Sequence, residues 1–188
     1  LEVLQCLCER RRGGETGVTA VQCLDGLEAC KAHFDTELFK TAWSRRERPP
    51  MSIDELQKRV PNPTAFLIEY RDGFRATILT LNPANSDWAI AWKEGDQMRS
   101  SLFWTQEARP FGHFSFLLQG IEKMIYTRKP TWPVERTLLT AGLLDALLTS
   151  KLRGGVRMET PHLTIRYRPT FEWQPPPDPP PGRPLDAQ

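Results

Sequence analysis

Two runs of strand-forming residues flank an Asp-Gly pair: Ala65-Phe-Leu-Ile-Glu-Tyr70 before it and Phe74-Arg-Ala-Thr-Ile-Leu-Thr-Leu81 after it. Nothing else in the chain limits its fold as strongly. Asp-Gly is a favoured two-residue hairpin loop because both positions accept positive φ, so the segment predicts an antiparallel hairpin. With Asp72 and Gly73 as the loop, Phe66 opposes Leu79, Leu67 opposes Ile78, and Tyr70 and Arg75 become packing neighbours across the strands. Side chains alternate between the two faces of a strand, and here both alternate sets are apolar. A sheet built on this hairpin therefore has two faces to cover, with helices on one and another body on the other.

The flanking segments supply those helices and further strands. Leu1, Leu4, Gln5 and Cys8 recur at helical spacing, and Glu9-Arg10-Arg11-Arg12 before Gly13-Gly14 reads as the helix end. The chain thus opens inside an amphipathic helix with no initiator Met, as expected for the C-terminal portion of a longer polypeptide. Gly13-Gly14-Glu15-Thr16-Gly17 is a tight connection, but it follows a helix and precedes no Gly-Lys-Ser/Thr, so it is not a phosphate-binding loop of that class. Val18 to Leu24 reads as a strand stopped by Asp25-Gly26, residues 27–43 have mixed helical character, and Ser52 caps a short helix.

A second hairpin is expected where Trp88-Ala-Ile-Ala-Trp92 meets Met98 to Trp104 across Lys93–Asp96, with Trp88, Ile90 and Trp92 on one face. The period then becomes helical. Phe114, Leu117, Leu118, Ile121, Met124 and Ile125 share one helix face, ended by Lys129-Pro130. Pro133 opens another helix, in which Leu138, Ala141, Leu144, Ala146, Leu147 and Leu148 are expected to face the core before Gly154-Gly155 stops it. His162 to Tyr167 alternates as a final strand. From Pro169 the sequence becomes proline-rich, so residues 1–168 form the expected domain and 169–188 an extended, unstructured tail.

Composition narrows the function classes. The net charge of +2 and the clusters at Arg10–Arg12 and Arg45, Arg46 and Arg48 come with no recognised nucleic-acid module, so they read as solvated loop charge and no nucleic-acid partner is expected. No apolar run approaches the roughly 20 residues that span a bilayer, so no membrane is expected either. The cysteines at 6, 8, 23 and 30 include no C-x2-C pair, and Cys6 and Cys8 would point about 200° apart on a helix, so no metal is expected. They read as reduced thiols in a reducing compartment, the cytoplasm.

Several strings carry a family resemblance: Leu1-Glu-Val-Leu-Gln5, Glu9-Arg-Arg-Arg-Gly-Gly-Glu-Thr-Gly17, Phe66-Leu-Ile-Glu-Tyr-Arg-Asp-Gly73, and Pro133-Val-Glu-Arg-Thr-Leu-Leu-Thr140 running through Gly154-Gly155 to Pro161. In the order helix, strand, hairpins, two helices, strand, residues 1 to about 168 resemble the C-terminal domain of the glucose–fructose oxidoreductase / inositol dehydrogenase / MocA family, in a little-characterised bacterial branch. The resemblance implies an α+β fold with a mainly antiparallel open sheet, helices packed on one face and the other face available for association. It also implies NAD(P), held mainly by an N-terminal Rossmann domain, a sugar or polyol-like substrate, and a homo-oligomer formed through the sheet face. No G-x-G-x-x-G fingerprint occurs here, and the histidine that the family commonly uses for catalysis would fall before residue 1. These residues alone are therefore expected to be inactive, and none is assigned a catalytic role.

Five residues are candidates for substrate contact. His113, just before the Phe114 helix, suits proton exchange or substrate hydrogen bonding, or else it caps the helix. Arg11 and Glu15 bracket the Gly13-Gly14 turn, where they either clamp a carboxylate or hydroxylated ligand or form a surface ion pair. Asn82 and Asp87 lie on the loop between the hairpins, where binding groups and turn formers are equally at home. The functional expectation is the pocket wall and oligomer contact of an NAD(P)-dependent oxidoreductase. The alternatives are a non-redox relative that cleaves glycosidic bonds with NAD, and a non-catalytic binding and association module.

Overall fold

The computed structural model describes residues 1–45, 52–82, 88–103 and 112–170, without the side chains of Ile53, Leu56, Gln57, His113 and Phe116. It is an α+β arrangement. Helix α1 (Glu2–Cys8) leads through the glycine turn to β1 (Val18–Asp25), followed by α2 (Gly26–Lys31), α3 (Thr36–Trp43) and α4 (Ile53–Arg59). Strands β2 (Thr64–Tyr70) and β3 (Arg75–Thr80) form the first hairpin, and β4 (Trp88–Glu94) and β5 (Gln97–Phe103) the second. Helices α5 (Gly112–Thr127) and α6 (Val134–Leu152) precede the short β6 (Met158–Glu159) and a 3-10 turn at Pro161–Leu163.

The strands form two open antiparallel sheets, one ordered β3-β2-β1-β6 and the other β4-β5. Pairing places Val21, Ile68 and Ala76 in one row, and Phe66 beside Cys23 and Ile78. That face packs on α6 through Leu139, Leu143, Ala146 and Leu147, with Leu163 closing one side. A smaller cluster of Trp43, Val60 and Leu81, joined by Phe39 and Leu79, anchors α3 near the far end of the sheet. Burying one such aliphatic side chain contributes about 1.5–3 kcal/mol, so the α6 face is the main source of hydrophobic stabilisation.

Local chemistry sets the boundaries. Asp35 caps α3 by accepting from the N–H groups of Glu37 and Leu38, both at 3.0 Å. Ser52 and Glu55 form a reciprocal capping box on α4: Glu55 N–H donates to Ser52 Oγ (3.2 Å) and Ser52 N–H donates to the Glu55 carboxylate (2.9 Å). Ser150, fully buried on α6, ties helix to sheet by accepting from Cys23 N–H (2.9 Å) and donating to Val156 O (2.7 Å).

Four expectations are corrected. The first hairpin is longer by one loop residue: Phe66 pairs with Ile78, Leu67 with Thr77 and Glu69 with Arg75, while Tyr70 N–H bonds Phe74 O. The two-residue loop needs positive φ at both centres, yet only Gly73 (φ +83°) adopts it and Asp72 does not. The turn is therefore a three-residue loop with a glycine bulge. The segment His162–Tyr167 is not a strand; Pro161 starts a 3-10 turn, and Tyr167 makes one isolated bridge to Glu15. On α6 the buried set is Leu139, Thr140, Leu143, Ala146, Leu147 and Ser150, while Leu138, Ala141, Leu144 and Leu148 lie outside. This helix is apolar on opposite sides, so counting leucines cannot tell which side meets the sheet. Finally, in place of one open sheet there are two: the second hairpin, with Trp88, Trp92 and Phe103, forms a separate β4-β5 sheet packed on α3, and the face of the main sheet away from α6 carries the row Arg75, Glu69, Ala20 and Glu159. Asp87, Trp104 and most of the 169–188 tail lie outside the described residues.

Candidate functional site

The densest polar chemistry lies where α1, the glycine turn, the β2–β3 loop and the C-terminal segment converge. Gly14 and Gly17 make the convergence possible. Both have positive φ, and a Cβ at Gly17 would lie 2.7 Å from Leu163 O, while one at Gly14 would lie 3.0 Å from Tyr167 O. Only glycine lets residues 163–168 pass this close to the turn.

Inside the turn, Glu15 is buried together with Gln5 and Glu9. Its carboxylate accepts from the N–H groups of Thr16 and Gly17 (2.8 Å each) and from Gln5 Nε2 (2.6 Å). Arg11 approaches the same carboxylate at 3.3 and 3.4 Å, and also donates to Asp72 Oδ2 (2.6 Å), Cys8 O (2.6 Å) and Thr16 Oγ1 (3.0 Å). Its guanidinium lies 4.6 Å from the centre of the Tyr70 ring. Gln5 Nε2 donates to Tyr167 Oη (2.7 Å), Tyr70 Oη donates to Gln5 Oε1 (3.2 Å), and Tyr167 Oη donates to Glu9 (2.7 Å), which Arg136 from α6 neutralises (3.1 Å).

Burial governs the proton affinities here. It pushes the Tyr70 and Tyr167 phenols well above their ordinary value and the Cys8 thiol up to about 11. Neither phenol gives up its proton near neutral pH. The network is a brace: every carboxylate in it has a cation, and the donors of Gln5 and Arg11 are all used inside it. Arg11 and Glu15 are thus brought together as an ion pair, buried rather than on the surface, and turned inward instead of toward a ligand.

Outside the brace, a shallow cleft of about 360 Å³ is lined by Gly13, Glu15, Thr16, Arg166, Tyr167 and Arg168. Arg166 and Arg168 are exposed, and neither pairs with a carboxylate among the described residues. With the Thr16 hydroxyl they present donors suited to hydroxyl or anionic groups. A second void, about 30 Å³ among Ala29, Phe34, Phe39 and Leu79, is apolar and too small for a ligand.

The remaining candidates do not join this region. Asn82 is exposed just past the end of β3 opposite the Arg71–Gly73 loop, about 30 Å away by strand rise. Asp87 lies outside the described residues, as does the side chain of His113, whose backbone sits at the start of α5. Sequence reasoning passed over Gln5, Glu9, Asp72, Tyr167 and Arg136. Their partners lie up to 162 positions away, and no local spacing announces such pairs.

The Gly13–Gly17 turn lies between a helix and a strand, the reverse of the strand, glycine turn and helix order of a pyrophosphate-binding turn. No group of three or more His, Cys, Asp or Glu side chains placed to hold a metal occurs among the described residues, and no described helix is long and apolar enough to cross a membrane. No family model, curated protein or solved structure matches this chain.

Proposed function

We propose that this chain forms the substrate-side and association domain of an NAD(P)-dependent oxidoreductase of the glucose–fructose oxidoreductase / inositol dehydrogenase / MocA type, acting on a sugar or polyol-like compound. The cleft beside Gly13–Thr16 is the observation that supports this reading. Its Thr16 hydroxyl and the guanidinium groups of Arg166 and Arg168 are hydrogen-bond donors spaced around an open volume of about 360 Å³, the size class of a small polyhydroxylated ligand. The brace behind them fixes the backbone from which they project. Nicotinamide chemistry would come from residues outside those described.

The test is the polypeptide translated from the complete reading frame, incubated with NAD or NADP and a panel of sugars and polyols. Reduced nicotinamide and released aglycone are followed together, which separates oxidation from glycosidic cleavage. Turnover whose KM rises in Arg168→Ala supports the reading; neither turnover nor nicotinamide binding sinks it. A non-catalytic association module is the second reading, favoured by the exposed apolar side chains along α5 and α6.

A further inference from the structure

The side chains that line the cleft beside the glycine turn can donate hydrogen bonds but have little left to accept them. Glu15, the one carboxylate in the lining, is already filled: one oxygen accepts from Thr16 N–H, Gly17 N–H and Arg11, the other from Gln5 and Arg11. The Tyr167 hydroxyl points into the brace, where it donates to Glu9, and the Tyr167 carbonyl accepts from Glu15 N–H at 3.0 Å. Thr16 Oγ1 accepts from Arg11 at 3.0 Å, which leaves its own hydrogen to be donated. Arg166 and Arg168 complete the lining with guanidinium groups, which only donate.

Backbone pairing aims those two arginines together. Between them Tyr167 bridges to Glu15 in antiparallel pairing and sends its ring inward to Gln5 and Glu9. Successive side chains of an extended chain alternate, so Arg166 and Arg168 share the other side, with their Cα atoms about 6–7 Å apart. The surroundings add charge of the same sign. Arg12 is exposed next to Gly13, and Arg71 from the β2–β3 loop donates to Thr164 Oγ1 at 2.8 Å, two residues before Arg166. The acid on that same loop, Asp72, is held by Arg11 at 2.6 Å. Cations from positions 12, 71, 166 and 168 therefore gather around one short stretch of chain.

We propose that this cleft recognises an oxyanion on its ligand, so that the sugar or polyol-like substrate carries a carboxylate or a phosphate ester. A neutral polyol donates as readily as it accepts, and the described lining offers its hydroxyl hydrogens no unfilled carboxylate or amide oxygen. An ionised carboxylate or phosphate brings acceptor oxygens in the planar spacing that guanidinium forks grip with paired N–H bonds. The inference rests on the substrate cleft proposed above and not on the nicotinamide chemistry, because its readout is binding without cofactor. If charged sugars bind but no nicotinamide turnover exists, the oxidoreductase reading falls and the anion site stands. If neutral sugars turn over while charged ones bind no tighter, the anion site falls alone.

Calorimetric titration of the 188-residue chain with glucose, glucuronate and glucose 6-phosphate at low salt is the test. Both charged sugars are expected to bind about 10-fold or more tightly than glucose, and the tighter of the two names the oxyanion. Raising the salt from about 0.05 to 0.5 M should weaken both several-fold, since the guanidinium groups stand in water. Arg166→Ala and Arg168→Ala are each expected to cost the charged sugars about 10-fold, and the double substitution to erase their advantage over glucose. Both side chains are exposed, so the melting temperature of the free chain should not move. Arg153→Ala, an exposed arginine at the C-terminal end of α6, controls for net charge and should leave all three affinities as they were. Four results overturn the proposal: glucose binding as tightly as both charged sugars, neither charged sugar binding in the millimolar range, a preference that survives the double substitution, or an equal loss in Arg153→Ala.

Discussion

Replacing Glu15 by glutamine separates a bracing role from a ligand-binding one. The amide has the shape of the carboxylate but only one acceptor oxygen. If that oxygen keeps the N–H bonds of Thr16 and Gly17 at 2.8 Å, the new NH2 faces Gln5 Nε2, donor against donor at 2.6 Å. Flipping Gln5 moves the conflict to its own contact with Tyr70 and to the Tyr167 hydroxyl, which already donates to Glu9. Arg11 meanwhile loses one of its two anions and keeps Asp72. Removing one partner from a buried ion pair costs about 3–5 kcal/mol, and retention of Asp72 puts the expected loss near the lower figure, about 3 kcal/mol. For a chain of this length that lowers Tm by about 6–12 °C. Urea unfolding followed by tryptophan fluorescence measures the loss directly, and a cycle with Gln5→Ala should be non-additive because the two side chains share the bond. A loss below about 1 kcal/mol would refute the brace, and with it the claim that Glu15 is turned away from ligands.

The glycines of the same turn should differ in what they tolerate. Gly17→Ala puts a methyl within 2.7 Å of Leu163 O at φ +92° and is expected to cost more than about 3 kcal/mol; Gly13→Ala at φ +94°, with nothing within 4 Å, should cost only the backbone strain of about 1–2 kcal/mol. Equal losses in urea melts would mean that the close approach of residues 163–168 is not what the second glycine serves. Acid should also weaken the fold through named groups. Hydrogen bonding to Arg157 holds the Glu69 carboxyl below its ordinary value, and at Asp72 burial pushes upward but the Arg11 bond and charge together with the Phe74 N–H outweigh it. Both folded values lie below the unfolded ones, so their stabilisation is complete above about pH 4 and is lost as pH falls through the folded values. Chemical denaturation between pH 6 and 2 should show that decline, shallower in Arg157→Met; an unchanged slope in the variant removes Glu69 from the account.

Much of the fold was legible because its signals are local. Asp72-Gly73 marked the hairpin, Ser52-Ile-Asp-Glu55 the capped helix, and Pro133 and Gly154-Gly155 the limits of the long helix. The errors arose where tertiary context chose between equal local options. Asp-Gly fits both a two-residue loop and a three-residue loop with a glycine bulge, and the choice moves every cross-strand partner by one residue. Leu138, Leu144 and Leu148 look as fit for a core as Leu139, Leu143 and Leu147, and only the position of the sheet decides between them. At the candidate site, Arg11 and Glu15 were visible as a spaced charge pair on a glycine turn. That Gln5, Tyr70 and Tyr167 enclose them could not be read, since burial of a charge depends on chain segments brought in from far along the sequence.

Charge and exposed apolar area are unevenly distributed over the described residues. On the open face of the main sheet, Glu69 sits between Arg75 across the strands and Arg157, which bonds it at 2.7 Å and also contacts Glu159. Covering that row with a partner would strip water from several charges whose attraction returns little of the desolvation cost unless the partner supplies matching groups. On α5 and α6 the balance is reversed: the side chains are aliphatic, already exposed, and lose only unfavourable hydration when covered. Among the described residues, hydrogen-bond donors thus gather at the Gly13–Thr16 cleft and exposed leucines along α6. A hairpin apolar on both alternate sets called for two coverings. Helix α6 covers one face, and on the other Ala20 and Ala65 are buried while Leu79 packs with Phe39 and Trp43 near α3.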